Sequence, residues 1–434
     1  MKVMIGLPPP MAGDAMAPSL QNLFRIFLRI GLLSFGGPAA QISLMHRTLV
    51  DEQGWLSEKE FLNALSFCML LPGPEAMQLA TYAGWKLRGL SGGLIAGLLF
   101  VIPGALVIFA LAGIYTTFGQ VPLIESLFLG VKAAVLIIVL EALLKVSKRA
   151  LKEPLHWWLA AASFVLIFFF SLPFPLLIFV AALIGATVAT SGDTDKGSSI
   201  NRPGFAPALK TIAIGLTIWL LPLFAVGALT GPPLLAEVGV FFSKLAVVTF
   251  GGAYAVLAYM AQDVVTAKEW LTAGQMMDGL GLAETTPGPL ILVTQFVGFL
   301  AGFANGGIPL AIAAACVTLW ATFVPCFLCI FAGAPYIDWI AAQPRLSGAL
   351  KCITAAVVGV ILNLSVWFTL HVVFSSVSLV NKGPLTLWTP DIASLDWRVP
   401  VLATLSGVLL LYRHMALGWV LLIAAVGGVL LSAL

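Results

Sequence analysis

A run of helix breakers occurs twice in this chain at one fixed spacing. Phe35-Gly36-Gly37 returns as Phe250-Gly251-Gly252, Trp55-Leu56 as Trp270-Leu271, and Pro72-Gly73-Pro74 as Pro287-Gly288-Pro289. The offsets 250−35, 270−55 and 287−72 all equal 215, so about forty residues align without a gap. Glycine frees φ, and proline removes a backbone donor and clashes with the preceding turn, so each anchor interrupts a helix. An ordinary helix bundle has no reason to repeat its interruptions. Paired, broken hydrophobic segments in the two halves of a chain are the sequence pointer to a secondary transporter whose site lies between repeats.

The surroundings of the breaks are those of a membrane. The 434 residues are 60% hydrophobic and 9% charged, against about 25% charged in soluble domains. Apolar runs read as spans recur near 20–45, 61–84, 91–117, 123–144, 155–170, 175–190, 209–228, 239–262, 274–300, 307–332, 347–372, 399–412 and 415–434; 155–170 and 175–190 are short and read as a tight hairpin joined by Ser171–Pro175, and the last two runs form a similar pair. The expected fold class is an all-α polytopic membrane protein with about thirteen transmembrane helices, built from two repeats with broken helices. The expected organisation is an N-terminal cytoplasmic segment 1–19, a first repeat 20–190, a polar linker 191–207, a connecting helix 208–238 and a second repeat 239–434. Asn381 to Arg398 reads as a second exposed loop, with Trp388 and Trp397 suited to the membrane interface.

Lysine and arginine set the orientation. Arg25, Arg29, Lys86, Arg88, Lys145, Lys148, Arg149, Lys152, Lys196, Arg202 and Lys210 mark one side, whereas the loops Thr117–Pro122 and Ser171–Pro175 carry no base. The positive-inside rule places the N-terminus and linker in the cytoplasm. An odd number of spans then separates the repeats and makes them inverted.

A helix restarted within the membrane points free N–H groups and the positive end of its dipole into the gap, an anion site made without fixed charge. The candidate substrate-binding residues are Arg29, Ser34, Gly36, Gly37, Gly73, Glu75, Gln78, Thr249, Gly251, Gly252, Thr285, Thr286 and Gly288. Ser34 and Thr249 stand at equivalent places before the glycines, and Ser66 and Gln295 lie near the Pro-Gly-Pro turns. Hydroxyls and amides there either donate to a bound oxyanion or cap a broken helix. Glu75 either complements a helix dipole or carries a coupling proton, and the same choice holds for Glu284. Lys132 and Glu141 are further charges within an apolar run. The second copy has Ala253 where the first has Pro38, so its break is expected to be milder. Gly93-x3-Gly97 and Gly298-x3-Gly302 allow close helix packing.

Several classes are disfavoured by what the sequence lacks. No Gly-x4-Gly-Lys-[Ser/Thr] or His-Glu-x-x-His pattern occurs, and no basic block suggests nucleic acid. Cys326 and Cys329 have the Cys-x-x-Cys spacing without a second ligand pair, so they read as buried thiols; neither a metal site nor a cofactor is expected, nor an enzyme activity.

Arg29-Ile-Gly-Leu-Leu-Ser-Phe-Gly-Gly-Pro38, Asp51-Glu-Gln-Gly-Trp-Leu56 and Leu71-Pro-Gly-Pro-Glu-Ala-Met-Gln-Leu-Ala80 resemble the signature blocks of the chromate ion transporter (CHR) family. Thr249-Phe-Gly-Gly252 with Thr286-Pro-Gly-Pro289 is similar to its C-terminal half. The resemblance runs from about residue 20 over nearly the whole chain. It implies a long-chain, two-domain transporter of the inner membrane that exports chromate and confers resistance, with sulfate, a near-isosteric dianion, as the related ligand; the expected driver is the membrane potential or the proton-motive force, and the alternative is a transporter of sulfate or another oxyanion. The partners it implies are that dianion and the lipid bilayer, and a homodimer is compatible with it.

Overall fold

The computed structural model describes residues 18–119, 121–188, 205–229, 233–250, 253–341, 343–383 and 385–433. The N-terminal segment before Pro18 and almost all of the linker expected at 191–207 lie outside the described residues. The chain forms α1 (Leu20–Leu33), α2 (Gly37–His46), α3 (Glu58–Leu70), α4 (Glu75–Phe118), α5 (Pro122–Ala150), α6 (Pro154–Phe170), α7 (Phe174–Val188), α8 (Phe205–Leu229), α9 (Pro233–Val248), α10 (Ala253–Gln262), α11 (Ala273–Thr285), α12 (Val293–Gly333), α13 (Ile337–Ala341), α14 (Pro344–Val373), α15 (Arg398–Gly407) and α16 (Leu417–Ser432). Among the described residues five stretches are long and apolar enough to cross a bilayer: Glu75–Phe118, Pro122–Ala150, Pro207–Ala228, Leu290–Tyr336 and Pro344–Val373. Large apolar side chains such as Leu106, Trp158 and Phe224 stand exposed on helix faces, as lipid contact requires. The protein is a multi-pass helical membrane protein.

One small departure from an all-helical chain is a two-stranded antiparallel hairpin, β1 (Val377–Lys382) and β2 (Leu385–Pro390), inside the segment expected to be an exposed loop. Gly383, at φ +64, turns it. Trp388 packs edge-on against Trp367 and His371, while Trp397 stays exposed.

The chain divides into two compact units, and each takes segments from both sequence halves. The first contains residues 1–111, 191–253 and 283–344; the second contains 112–190, 254–282 and 345–434.

In the first unit the opening helices fold back on themselves. Lys86 pairs with Glu60 at 2.9 Å, and the Phe67 and Tyr82 rings lie 6.2 Å apart, so α3 and the first part of α4 run antiparallel. The segment read as one span near 61–84 is therefore a hairpin with Pro72-Gly73-Pro74 at its tip. With 13 residues, α3 is about 20 Å long, short of the roughly 30 Å hydrocarbon core. Its start is held by a capping box between Ser57 and Glu60. The α1–α2 pair has its feet at the same end, because Arg88 Nε donates to the Pro18 carbonyl and His46 pairs with Glu58 at 2.6 Å. Its break, Gly36-Gly37, is then also a tip.

The chain reverses again inside α4, at Arg88-Gly89, where Gly89 has φ +64. The same reversal occurs inside α12 at Gly306-Gly307, where Gly307 has φ +68. The offset is now 307−89, or 218, because a three-residue 3-10 turn, Leu290–Leu292, follows the second Pro-Gly-Pro. After each reversal the helices touch at glycine. A Cβ on Gly84 would overlap the Gly92 carbonyl oxygen, and one on Gly302 the Leu310 carbonyl oxygen. Gly93, Gly97 and Gly298 are likewise packed against neighbouring side chains, as their small-residue spacing implied.

In the second unit α5 is clasped by α15 and α16. Gly130 meets the backbone at Ala424, and Gly428 meets it at Ser126.

Candidate functional site: two crossed helix breaks

The breaks form where local backbone rules require them. Gly36 and Gly37 have φ +84 and +77, and Pro38 sits in the first turn of α2, where its missing N–H costs nothing. Gly73 and Gly288 have φ +127 and +90, conformations that side chains with a Cβ rarely adopt. Gly251 and Gly252 lie outside the described residues.

What holds the breaks is reciprocal between the copies. The Gly73 N–H donates to the Thr249 carbonyl at 2.9 Å, and the Gly288 N–H donates to the Ser34 carbonyl at 2.9 Å. Residues 34 and 249, and residues 73 and 288, are equivalent under the 215 offset, so each Pro-Gly-Pro tip of one copy is tied to the Phe-Gly-Gly break of the other. Two buried carbonyls freed at helix ends thereby receive donors, as buried backbone requires. The hydroxyls of Ser34 and Thr249 donate back to the carbonyls of Ile30 and Leu245, each at 2.6 Å. Both residues are buried.

Three residues at this junction were not singled out from the sequence. Gln41 Nε2 donates to the Gly288 carbonyl at 2.6 Å and to the Ser34 carbonyl at 3.2 Å, closing the second tip onto the first break. A Cβ on Gly104 would overlap the Pro287 carbonyl oxygen. Cys326 packs on the first tip: a Cβ on Gly73 would fall 2.8 Å from its Sγ. A lone amide in the apolar turn after Pro38 was the available signal for Gln41. Nothing local marked the other two.

The remaining candidates divide between the junction and its surroundings. Glu75 opens α4 in a half-buried position, directly after the first tip. Gln78 Nε2 donates to the Pro72 carbonyl at 2.7 Å and braces the same turn. Thr286 is buried and donates to Ala283, whereas Thr285 is exposed. Glu284 is buried; Ser66 is exposed and donates to Leu62. Gln295 Nε2 donates to the carbonyl of Ala105, the residue after Gly104, at 3.0 Å. Arg29 is exposed and faces Glu52 at 3.6 Å. Glu141 pairs with Lys145 one turn on.

At the feet of the two hairpins, His46 lies 2.6 Å from Glu58 and 3.4 Å from Asp51. The hydrogen bond to Glu58 raises the imidazole above its ordinary pKa, burial opposes this weakly, and Asp51 adds to the rise. The imidazole stays cationic where a free histidine is losing its proton.

A separate cavity of about 350 Å³ lies within the second unit, lined among others by Tyr259, Gln262, Asp263, Asn363 and Trp388. It contains none of the break residues. Among the described residues no group of three or more His, Cys, Asp or Glu side chains is placed to hold a metal.

The crossed breaks fall inside the part of the chain that known proteins share. The family model described as chromate transporter matches residues 21–186 and 236–429, one block on each copy. A probable chromate transport protein of Synechococcus elongatus is 32% identical over 355 residues, covering 80% of this chain and 83% of that protein. The chromate transport proteins of Cupriavidus metallidurans and Pseudomonas aeruginosa are 30% and 31% identical, each over about 80% of both chains. No solved structure matches the chain. With its duplicated breaks, its membrane-length helices and these relatives, the chain belongs to the chromate transporter family.

Proposed function

We propose that the protein is a secondary transporter that exports chromate across the inner membrane and so confers chromate resistance. The observation that carries this reading is the reciprocal bonding of the two tips, Gly73 to Thr249 and Gly288 to Ser34. A two-fold relation between repeats demands such paired contacts. Hairpins too short to span, with interrupted tips tied to the other copy, suit inverted repeats that meet at the bilayer midplane.

The anion-binding groups in this reading are backbone donors. The Gly73 and Gly288 N–H groups are committed to the junction, so the dianion is offered the first-turn N–H groups of α2 and α4, at Gly37, Ala39, Ala76 and Met77. These have no intrahelical acceptor. The two helix dipoles add positive potential there. Gly36 is exposed and Gly37 half-exposed, which leaves the backbone approachable. Arg29 and the exposed Thr285 supply attraction and a hydroxyl at the approach. Ser34, Thr249, Gln41 and Gln78 hold the breaks open, and Gly251 and Gly252 are assigned to substrate binding by their sequence equivalence to Gly36 and Gly37.

In this reading the driver is the membrane potential or the proton-motive force. A dianion leaving an inside-negative cell gains roughly 2.3 kcal/mol per charge per 100 mV, or about 4.6 kcal/mol in all. Backbone donors read charge and tetrahedral shape, so sulfate is the expected competitor.

The test is chromate accumulation in everted membrane vesicles, energised and de-energised, with excess sulfate as competitor. Energy-dependent accumulation reduced by sulfate is the expected result. No accumulation above control vesicles, with insertion confirmed, overturns chromate export and turns the reading to sulfate uptake.

A further inference from the structure

The second unit contains a buried charge cluster that the break motif does not use. Asp278, on α11, is 4% exposed. Its Oδ2 accepts a hydrogen bond from the Tyr115 hydroxyl at 2.8 Å. Its Oδ1 lies 3.3 Å from Lys132 Nζ yet has no hydrogen-bond partner. Tyr115 stands on α4, where its ring packs edge-on against Phe128; Lys132 and a more distant Glu125 stand on α5. These are the titratable groups that act on Asp278. One turn before it, the bare backbone of Gly274 leaves room for the Lys132 ammonium, and an added Cβ would sit 3.4 Å from Nζ. The same helix ends at Thr285, directly before the second Pro-Gly-Pro.

We propose that Asp278 is a proton-binding site of the transport cycle, held alternately by Lys132 and by a proton. The proposal rests on the transport reading above and adds a coupling group to it. A purely structural ion pair in an apolar interior needs every lone pair and proton satisfied, because desolvation otherwise outweighs attraction. This pair is unfinished on one oxygen. Lys132 also keeps 22% of its side chain exposed, so it has somewhere to go.

The step balances with one proton. A proton from the aqueous phase adds to Oδ1, the oxygen that faces Lys132 Nζ at 3.3 Å without a hydrogen bond. Oδ2 continues to accept from Tyr115. Lys132 keeps its own proton, loses its partner and turns to its exposed side. The Lys132–Asp278 pair passes from net zero to +1, so each turnover changes the charge beside the helix that leads to the second break. An ionisable group inside a membrane helix marks function by default.

Purified protein in liposomes with a trapped pH dye, under a potassium-diffusion potential, separates the possibilities. Wild type is expected to move protons together with chromate. Asp278→Asn is expected to lose the proton signal and flatten the pH dependence, while chromate flux falls but stays above protein-free liposomes. The double variant Lys132→Gln/Asp278→Asn leaves no unpaired buried charge, and it should show the same loss if the single variant does not insert. Proton movement by either variant at the wild-type ratio overturns the proposal, as does wild-type chromate flux without protons. Wild type that carries neither chromate nor sulfate overturns the transport reading as well, and so is distinguishable from failure of the coupling alone.

Discussion

The two copies of the break motif share a backbone and differ in their side chains. Beyond the crossed glycine bonds, the local geometry repeats in detail. Trp55 and Trp270 donate from the backbone to the carbonyls of Leu49 and Val264, both at 2.9 Å and both after a π-helical turn. The capping box of Ser57 and Glu60 returns as Thr272 and Gln275, which exchange hydrogen bonds at 2.9 and 3.2 Å. Polar side chains repeat less fully: Ser34 and Thr249 match, but the position equivalent to Gln41 is Val256, and Glu75, which opens α4, has no carboxylate counterpart at Val293, which opens α12. The chain from Thr286 to Gly302 is buried throughout, whereas Leu71, Pro72 and Glu75 around the first tip are half-buried. Duplication thus preserved the scaffold that interrupts the helices, and the two tips differ in how far they are covered.

The sharpest way to break this comparison is at the two tip glycines. Gly73→Val should reduce chromate accumulation at least about tenfold at unchanged membrane content, because a Cβ there meets both Cys326 Sγ and Gln78 Nε2 at 2.8 Å. Overpacking of this kind costs about 1–3 kcal/mol, to which backbone strain at φ +127 adds. Gly288→Ala should be milder, since its nearest side-chain neighbour is the flexible end of Leu292 at 3.1 Å. Equal loss in both variants, normalised by immunoblot, would mean that the copies are equivalent.

A smaller effect is expected at Gln41. Gln41→Leu removes the donor to two buried carbonyls and should lower the melting temperature in detergent, at a cost of about 1–3 kcal/mol. Val256→Gln should restore nothing. A Gln41→Leu variant that melts with wild type would remove Gln41 from the junction.

The smallest effect concerns the feet of the hairpins. The folded pKa of His46 is raised, so its contribution is complete below the ordinary value near 6.5 and is lost as pH rises through the raised value. His46→Gln should therefore be less stable than wild type at mildly acidic pH and should converge with it at alkaline pH. A constant difference across that range would show that the Glu58 contact acts without charge.

Much of the scaffold was legible before any coordinates. Glycine and proline act through φ and a missing donor, so breaks at residues 36–37, 72–74 and 287–289 could be placed from residue type alone. Their fixed offset identified the duplication. Other features depended on partners distant in sequence. The stretch 61–84 has the hydropathy of one span, but the pairing of Glu60 with Lys86 makes it a hairpin. Lys132 was visible as a charge in an apolar run, whereas Asp278 became notable only when the fold set it 3.3 Å away. The segment around Trp388 read as a loop, because short strands turned by Gly383 carry little periodicity.

The sequence by itself determined a membrane environment, a helical fold and two copies of an interrupted segment, since composition and chain breakers operate within a few residues; membership of the chromate transporter family rests on the resemblance of its sequence blocks to known members. Tertiary structure alone decided which break is tied to which, that Gln41 closes one of them, and that the compact units draw on both halves. Those outcomes depend on hydrogen bonds and contacts between residues such as 34 and 288, more than two hundred positions apart, and no local propensity encodes a partner at that distance.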